Sequence, residues 1–215
     1  MSVAIKLSAV LALAIALFSV AAEAKPRGPA SAGLVQVRLQ TDFGLIDVAI
    51  DTKHAPITAA NFLAYVDAKR FDGITFYRAA RAKNGSGNGL VQGGIDRNYP
   101  KAFAPIAHEP TTHTGLRHVD GTISMARNDP GTAMGEFFFV VGSAPYLDAT
   151  KTYPGYAAFG HVVRGMPVIR RVLQSKTYPG GHSKDTMGQT IINRVKIVTT
   201  RRIGQAGSKQ AKVAE

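Results

Sequence analysis

The chain has no cysteine and no tryptophan, and only 14 acidic residues stand against 26 basic ones in 215. Without cysteine there is no disulfide scaffold, no thiolate-held zinc or iron–sulfur centre, no thiol nucleophile and no acylated lipoprotein cysteine. The few carboxylates form no evident pair, which argues against the two-carboxylate chemistry of glycosidases. No G-x-S-x-G stretch occurs, so a serine nucleophile on a strand–helix elbow has no local support. Long apolar runs are also scarce. One lies at Leu7–Ala22, and no later stretch approaches the length of a membrane span.

That first run follows Lys6 and ends in Ala22-Glu23-Ala24. A basic residue, a short apolar core and a small-x-small end form the pattern of a secretory signal, which predicts cleavage before Lys25. The expected destination is the periplasm or the cell exterior. Lys6 and Glu23 cancel, so the charge stays at +12 without residues 1–24. No more than two basic residues are adjacent anywhere, and no nucleic-acid reading module is visible. The reading is a cationic, exported protein without a specific nucleic-acid partner.

Residues 25–33 are rich in Pro, Gly and Ala and read as a linker. Residues 34–200 read as one domain, and 201–215 as a basic, flexible tail. Leu34–Gln40 and Leu45–Ile50 alternate apolar and polar around Asp42-Phe43-Gly44, which predicts a hairpin with Asp47 facing outward. Further strands are predicted at Ile74–Arg78, Leu90–Gln92, Thr122–Ala126, Phe137–Val141, Ala157–Arg164 and Ile191–Thr200. Ala55–Lys69 has helical spacing in Ile57, Ala60, Leu63/Ala64 and Val66, with Pro56 in its first turn. Met166–Ser175 is a second predicted helix, with Val168, Val172 and Leu173 inward. About eight strands without regular helix alternation point to a mostly β protein, a closed eight-stranded antiparallel barrel capped by two helices.

Two motifs mislead. His108-Glu109-Pro110-Thr111-Thr112-His113 resembles a zincin helix, but its second His is one place too far along and Pro110 breaks the helix. Asn84–Gly89 resembles a phosphate-binding loop, yet a strand rather than a helix follows it; the expected reading is a flexible connection. What remains is a set of aromatic, Arg and Gln residues on strands. Strand alternation predicts Phe76 and Arg78 on one face, an apolar surface beside one strong donor.

The order of these motifs resembles the cyclophilin family of peptidyl-prolyl cis–trans isomerases, over about Val35–Val198. Phe76-Tyr77-Arg78 matches the family's F-H-R, and Gln92-Gly93-Gly94 its Q-G-G. Ser124-Met125-Ala126-Arg127, followed by Phe137-Phe138, matches S-M-A-(N/R) and F-F; Leu147-Asp148 matches L-D. Ala158–Met166 matches V-F-G-x-V-x-x-G-M. The resemblance implies a cyclophilin-like barrel and isomerase activity on proline-containing unfolded or partly folded polypeptides, with no cofactor and no metal. A monomer is expected. It implies that Arg78 is the catalytic arginine and that Gln92 orders it and binds substrate backbone. Phe138, Leu147 and Leu90 would wall the proline pocket beside Phe76. Ala126 and Arg127 would hold an extended peptide, with Tyr146, Tyr156 and Glu136 completing the substrate surface.

Three departures from the family pattern bear on the shape and charge of the pocket. The connection Ala79–Val91 is roughly twice the family's usual length, Gly89 stands at a pocket phenylalanine, and Glu136 replaces a glutamine. These departures predict a shallower, more negative pocket. They raise as an alternative a proline-binding or holdase module of the same fold with weak turnover.

Overall fold

A computed structural model describes residues 33–181 and 183–204. The predicted signal segment, the linker up to residue 32 and the tail from residue 205 lie outside the described residues. The elements run β1 Leu34–Thr41, β2 Gly44–Asp51, α1 Pro56–Asp67, β3 Thr75–Arg81, β4 Gly89–Gly94, α2 Thr111–Thr114, β5 Thr122–Met125 and β6 Glu136–Val141. They continue with β7 Ala157–Arg164, α3 Met166–Leu173, β8 Thr177–Tyr178 and β9 Thr190–Arg202. The strands pair in the order β1-β2-β7-β5-β6-β4-β3-β9, and β9 returns to β1. Every pairing is antiparallel, so eight strands close into a barrel and the two-residue β8 adds to the start of β9.

Period-two alternation fills the barrel interior. In β1, Val37 and Leu39 are fully buried while Arg38 and Gln40 face out. Helix α1 closes one end with aromatic side chains: Phe62 packs 5.4 Å from Phe137 and 5.2 Å from Phe159, centroid to centroid. Its inward face keeps the predicted Leu63 and Val66 but not Ile57 and Ala60. Ile57 is 44% exposed, whereas Ala59, Phe62, Leu63, Tyr65 and Val66 are buried. The two rings carry more apolar area than Ile57 and Ala60, and they set the helix rotation. In α3, Ile169 joins Val172 and Leu173 inside, and Val168 is only half-buried.

Asp47 faces outward as expected, yet it is not solvated. Its exposure is 1%. Arg38 holds it through two bonds of 2.7 and 2.9 Å, and Arg164 approaches to 3.1 Å. A bidentate guanidinium offsets much of the desolvation of such a carboxylate. The last strand also runs beyond the expected tail boundary. Arg201 bonds both carboxylate oxygens of Asp72, and Arg202 both oxygens of Asp67, which keeps the two residues in the sheet.

The zincin look-alike has a different role. Helix α1 begins after Ala55, which offers no capping side chain. Glu109 supplies the cap from 52 residues away: Oε1 accepts from the Ile57 N–H and Oε2 from the Thr58 N–H, at 3.1 and 2.6 Å. A carboxylate at a helix N-terminus satisfies orphan donors and meets the positive end of the dipole. Glu109→Ala should cost about 2 kcal/mol. For a domain of this size that corresponds to a fall in Tm of roughly 4–8 °C, which thermal denaturation followed by circular dichroism will read.

Candidate functional site

A cleft of about 730 Å³ lies against β3, β4 and β6 and the loops beside them. Its floor is an apolar cluster separate from the barrel core. Phe138, Val140, Ala144 and Leu147 are buried together, and Leu90, Ala126 and Tyr156 pack against them. Alternation along β6 explains the split, because Phe137 and Phe139 point into the barrel while Phe138 and Val140 point out. A 3₁₀ turn at Pro145–Leu147 turns Leu147 inward and leaves Tyr146 67% exposed at the rim. The Tyr156 N–H donates to the Leu147 carbonyl at 2.9 Å, and the Tyr156 ring meets Phe138 edge-on at 5.6 Å.

A polar set supports this floor from below. The His118 ring stacks on Phe138 with centroids 6.1 Å apart. Its Nδ1 lies 2.7 Å from Asp148 Oδ1 and its Nε2 2.9 Å from Ser124 Oγ. Since the carboxylate only accepts, Nδ1 carries the proton and a neutral ring accepts from Ser124 at Nε2. Burial pulls the imidazole below its ordinary value, against the pull of Asp148, which agrees with a neutral ring. The order Ser–His–Asp imitates a hydrolase triad, but Ser124 and His118 are both buried. Together they brace Phe138 and the turn carrying Leu147.

Phe76 is not part of the cleft. It is 0% exposed and packs in the barrel core against Phe137 and Phe139. The reason is a bulge. Phe76 pairs with Gly93 and Arg78 with Gln92, so Tyr77 is an extra residue in β3. One inserted residue breaks the alternation that predicted Phe76 and Arg78 on one face. Phe76 points inward, whereas Tyr77 and Arg78 both line the cleft.

Arg78 is held from two sides. Its Nε donates to Gln189 Oε1 at 2.7 Å and its Nη1 to Gln92 Oε1 at 2.9 Å. Burial pulls its pKa below the usual arginine value, and it remains a cation. Gln92 Nε2 in turn donates to Tyr77 Oη at 2.8 Å, and Tyr77 Oη donates to Glu136 Oε2 at 2.7 Å. The other Glu136 oxygen accepts a long bond of 3.5 Å from the Arg97 N–H. Glu136 therefore lines the cleft with its carboxylate already engaged. Gly94 makes room for it, since a Cβ there would strike the Glu136 carboxylate and the Gly135 carbonyl.

Arg127 folds back on the protein. Its ring of donors serves the carbonyls of Asn128 and Gly155, and its guanidinium sits 4.9 Å above the Tyr156 ring. It shapes the Tyr156 wall. The long β3–β4 connection is a hairpin whose strands extend in register through Ala80↔Leu90 and Arg81↔Gly89, which leaves residues 82–88 as its connecting loop. A side chain at Gly89 would strike the Ala80 carbonyl, so close strand pairing excludes an aromatic there. Asn84, Ser86 and Asn88 of the tip line that side of the cleft.

The structure thus brings together Arg78, Gln92, Leu90, Ala126, Arg127, Glu136, Phe138, Tyr146, Leu147 and Tyr156, and leaves out Phe76. It adds Tyr77 and Gln189. The alternation rule hid Tyr77, and Gln189 has no local signal, because it meets Arg78 across 111 positions of sequence.

The family model for cyclophilin-type peptidyl-prolyl cis–trans isomerases matches residues 36–201. The chain is 32% identical to a peptidyl-prolyl cis–trans isomerase of Acinetobacter baylyi over 159 residues, 72% of this chain and 80% of that one. It is 34% identical over 170 residues to one of Streptomyces antibioticus, covering 75% of this chain and 98% of the relative. Among solved structures, a cyclophilin-type isomerase of Cryptosporidium parvum superposes with a TM-score of 0.60 at 19% identity, over 80% of this chain and 98% of that one. The same protein has also been crystallised in the presence of the dipeptide Ala-Pro.

Burial raises the Glu136 carboxyl above its ordinary value, against the hydrogen bond from Tyr77. A carboxyl raised on folding contributes stability below its unfolded value and loses it as pH climbs through the folded value. Glu136→Gln should therefore gain stability relative to the parent as pH rises, with no such gain below about pH 4.5, the unfolded value. Urea midpoints from pH 4 to pH 8 will measure this; a flat difference across that range would contradict it.

Proposed function

The chain belongs to the cyclophilin-type peptidyl-prolyl cis–trans isomerases, and on that footing we propose how and where it acts. It is exported and turns X-Pro bonds in unfolded or partly folded proteins, with Arg78 set against the prolyl nitrogen. The observation that carries this reading is Arg78 fixed by two glutamines in the same cleft as the apolar cluster of Phe138 and Leu147.

The prolyl bond is planar through amide resonance, with a rotation barrier of about 18–20 kcal/mol. Uncatalysed exchange takes on the order of tens to hundreds of seconds. Twisting the bond breaks the conjugation and returns a lone pair to the prolyl nitrogen. A guanidinium donor binds that nitrogen in the twisted state and has little to bind in either planar state, which is the condition for acceleration. Nε and one N–H of Nη1 are committed to Gln189 and Gln92, so the donors left to meet the substrate are those of Nη2 and the second N–H of Nη1.

The proline ring rests on Phe138, Leu147 and Leu90, with Tyr156 as a side wall. Apolar walls exclude water and strengthen the contact made by the guanidinium. The preceding carbonyl is then the part that swings. Lowering the barrier by about 7 kcal/mol corresponds to roughly 10⁵-fold. The dipeptide Ala-Pro, in whose presence the Cryptosporidium protein was crystallised, contains an X-Pro bond of the kind proposed here as substrate. Export rests on the apolar Leu7–Ala22 run and the Ala22-Glu23-Ala24 end.

Arg78→Ala should cut kcat/KM on an X-Pro peptide by at least tenfold with an unchanged circular dichroism spectrum. Equal turnover in the variant would remove the mechanism. The full chain expressed in a Gram-negative bacterium should be recovered from the periplasm starting at Lys25. An intact Met1 on cytoplasmic protein, read by mass spectrometry, would overturn export.

A further inference from the structure

Two of the residues that depart from the family motifs meet in space. Tyr77 stands where F-H-R has histidine, and Glu136 where a glutamine is usual. Tyr77 Oη donates to Glu136 Oε2 at 2.7 Å and accepts from Gln92 Nε2 at 2.8 Å. We propose that Tyr77 and Glu136 are a positioning pair, which acts through Gln92 to hold Arg78 for catalysis.

Hydrogen-bond polarity carries the inference. A glutamine amide has two orientations of nearly equal shape, and only one presents its oxygen to Arg78. The chain Arg78–Gln92–Tyr77–Glu136 begins at a group that can only donate and ends at a carboxylate that can only accept. Between such ends every proton has one place. Tyr77 must give its proton to Glu136, so its lone pair receives Gln92 Nε2, and Gln92 Oε1 must face the guanidinium. Successive bonds of one polarity also strengthen one another. Gln189 pins Nε independently from the segment before β9, so the relay governs the Nη1 side of the guanidinium.

The bulge makes this possible, since it turns both Tyr77 and Arg78 toward the cleft. The two departures therefore belong together. Tyrosine needs an acceptor at 136, and a carboxylate at 136 needs a donor aimed at it.

The proposal rests on the isomerase reading of Arg78, and two readouts separate them. The first is kcat/KM on an X-Pro peptide for the parent, Tyr77→Phe, Glu136→Leu, the double variant and Glu136→Gln. Each of the first two single changes should cost about tenfold. The double variant should cost no more than either, because both break one chain. Glu136→Gln keeps an acceptor oxygen and should recover most of what Glu136→Leu loses. Losses that multiply to about a hundredfold, or singles equal to the parent, would overturn the pair.

The second readout is the side-chain amide signal of Gln92 in a ¹⁵N–¹H spectrum. It should shift in Tyr77→Phe and in Glu136→Leu, and an unshifted signal would overturn the proposal. This signal reports the relay whether or not the protein turns over, whereas an inactive parent would sink the isomerase reading alone. If Glu136→Leu does not fold, Tyr77→Phe decides by both measurements.

Discussion

The placement of Arg78 depends on one extra residue in β3. A regular strand would send residues 76 and 78 the same way, and Phe76 belongs to the barrel core, where Phe137 and Phe139 surround it. Without the bulge at Tyr77 the guanidinium would be driven into that apolar interior, where an unpaired charge is prohibitively costly. With the bulge, the same strand fills the core with one side chain and furnishes the cleft with the next two. Strand β4 accommodates the arrangement through Gly94, which lets Glu136 come close beneath Tyr77.

The barrel thus carries two apolar clusters with different duties. The interior cluster, closed by Phe62 and Tyr65 of α1, supplies stability. The small outer cluster around Phe138 sits on the reverse face of the same strand, β6, and is braced by His118, Ser124 and Asp148. A binding floor built on a core strand inherits the strand's rigidity, and side chains fixed by a buried hydrogen-bonded set lose little freedom when a ligand arrives.

Much of this was legible in the sequence. Period-two runs gave the barrel strands to within a few residues, and ordered motifs located Arg78, Gln92, Phe138 and Leu147. The failures share a physical origin. Phe76 was misassigned because alternation holds only for an unbulged strand. Glu109 was denied a metal role, but its cap on α1 was not foreseen, because nothing local shows that a distant helix lacks its own cap. Ile57 and Ala60 of α1 were misjudged because spacing counts apolar positions equally, while packing favours the largest rings. Gln189 could not be found at all, since the contact exists only once β9 lies beside β3.

The closing strand has a temporal consequence. Strand β9 lies between β1 and β3 and pairs Arg38 with Arg201. Until residues 189–202 are in place, β1 and β3 both present open edges, and Arg78 lacks Gln189. Contacts this distant in sequence form late and slow the search for the native ring. The folding chain therefore passes through a stage in which two unpaired strand borders are exposed to self-association, and Arg78 receives its second anchor only when the last strand is delivered.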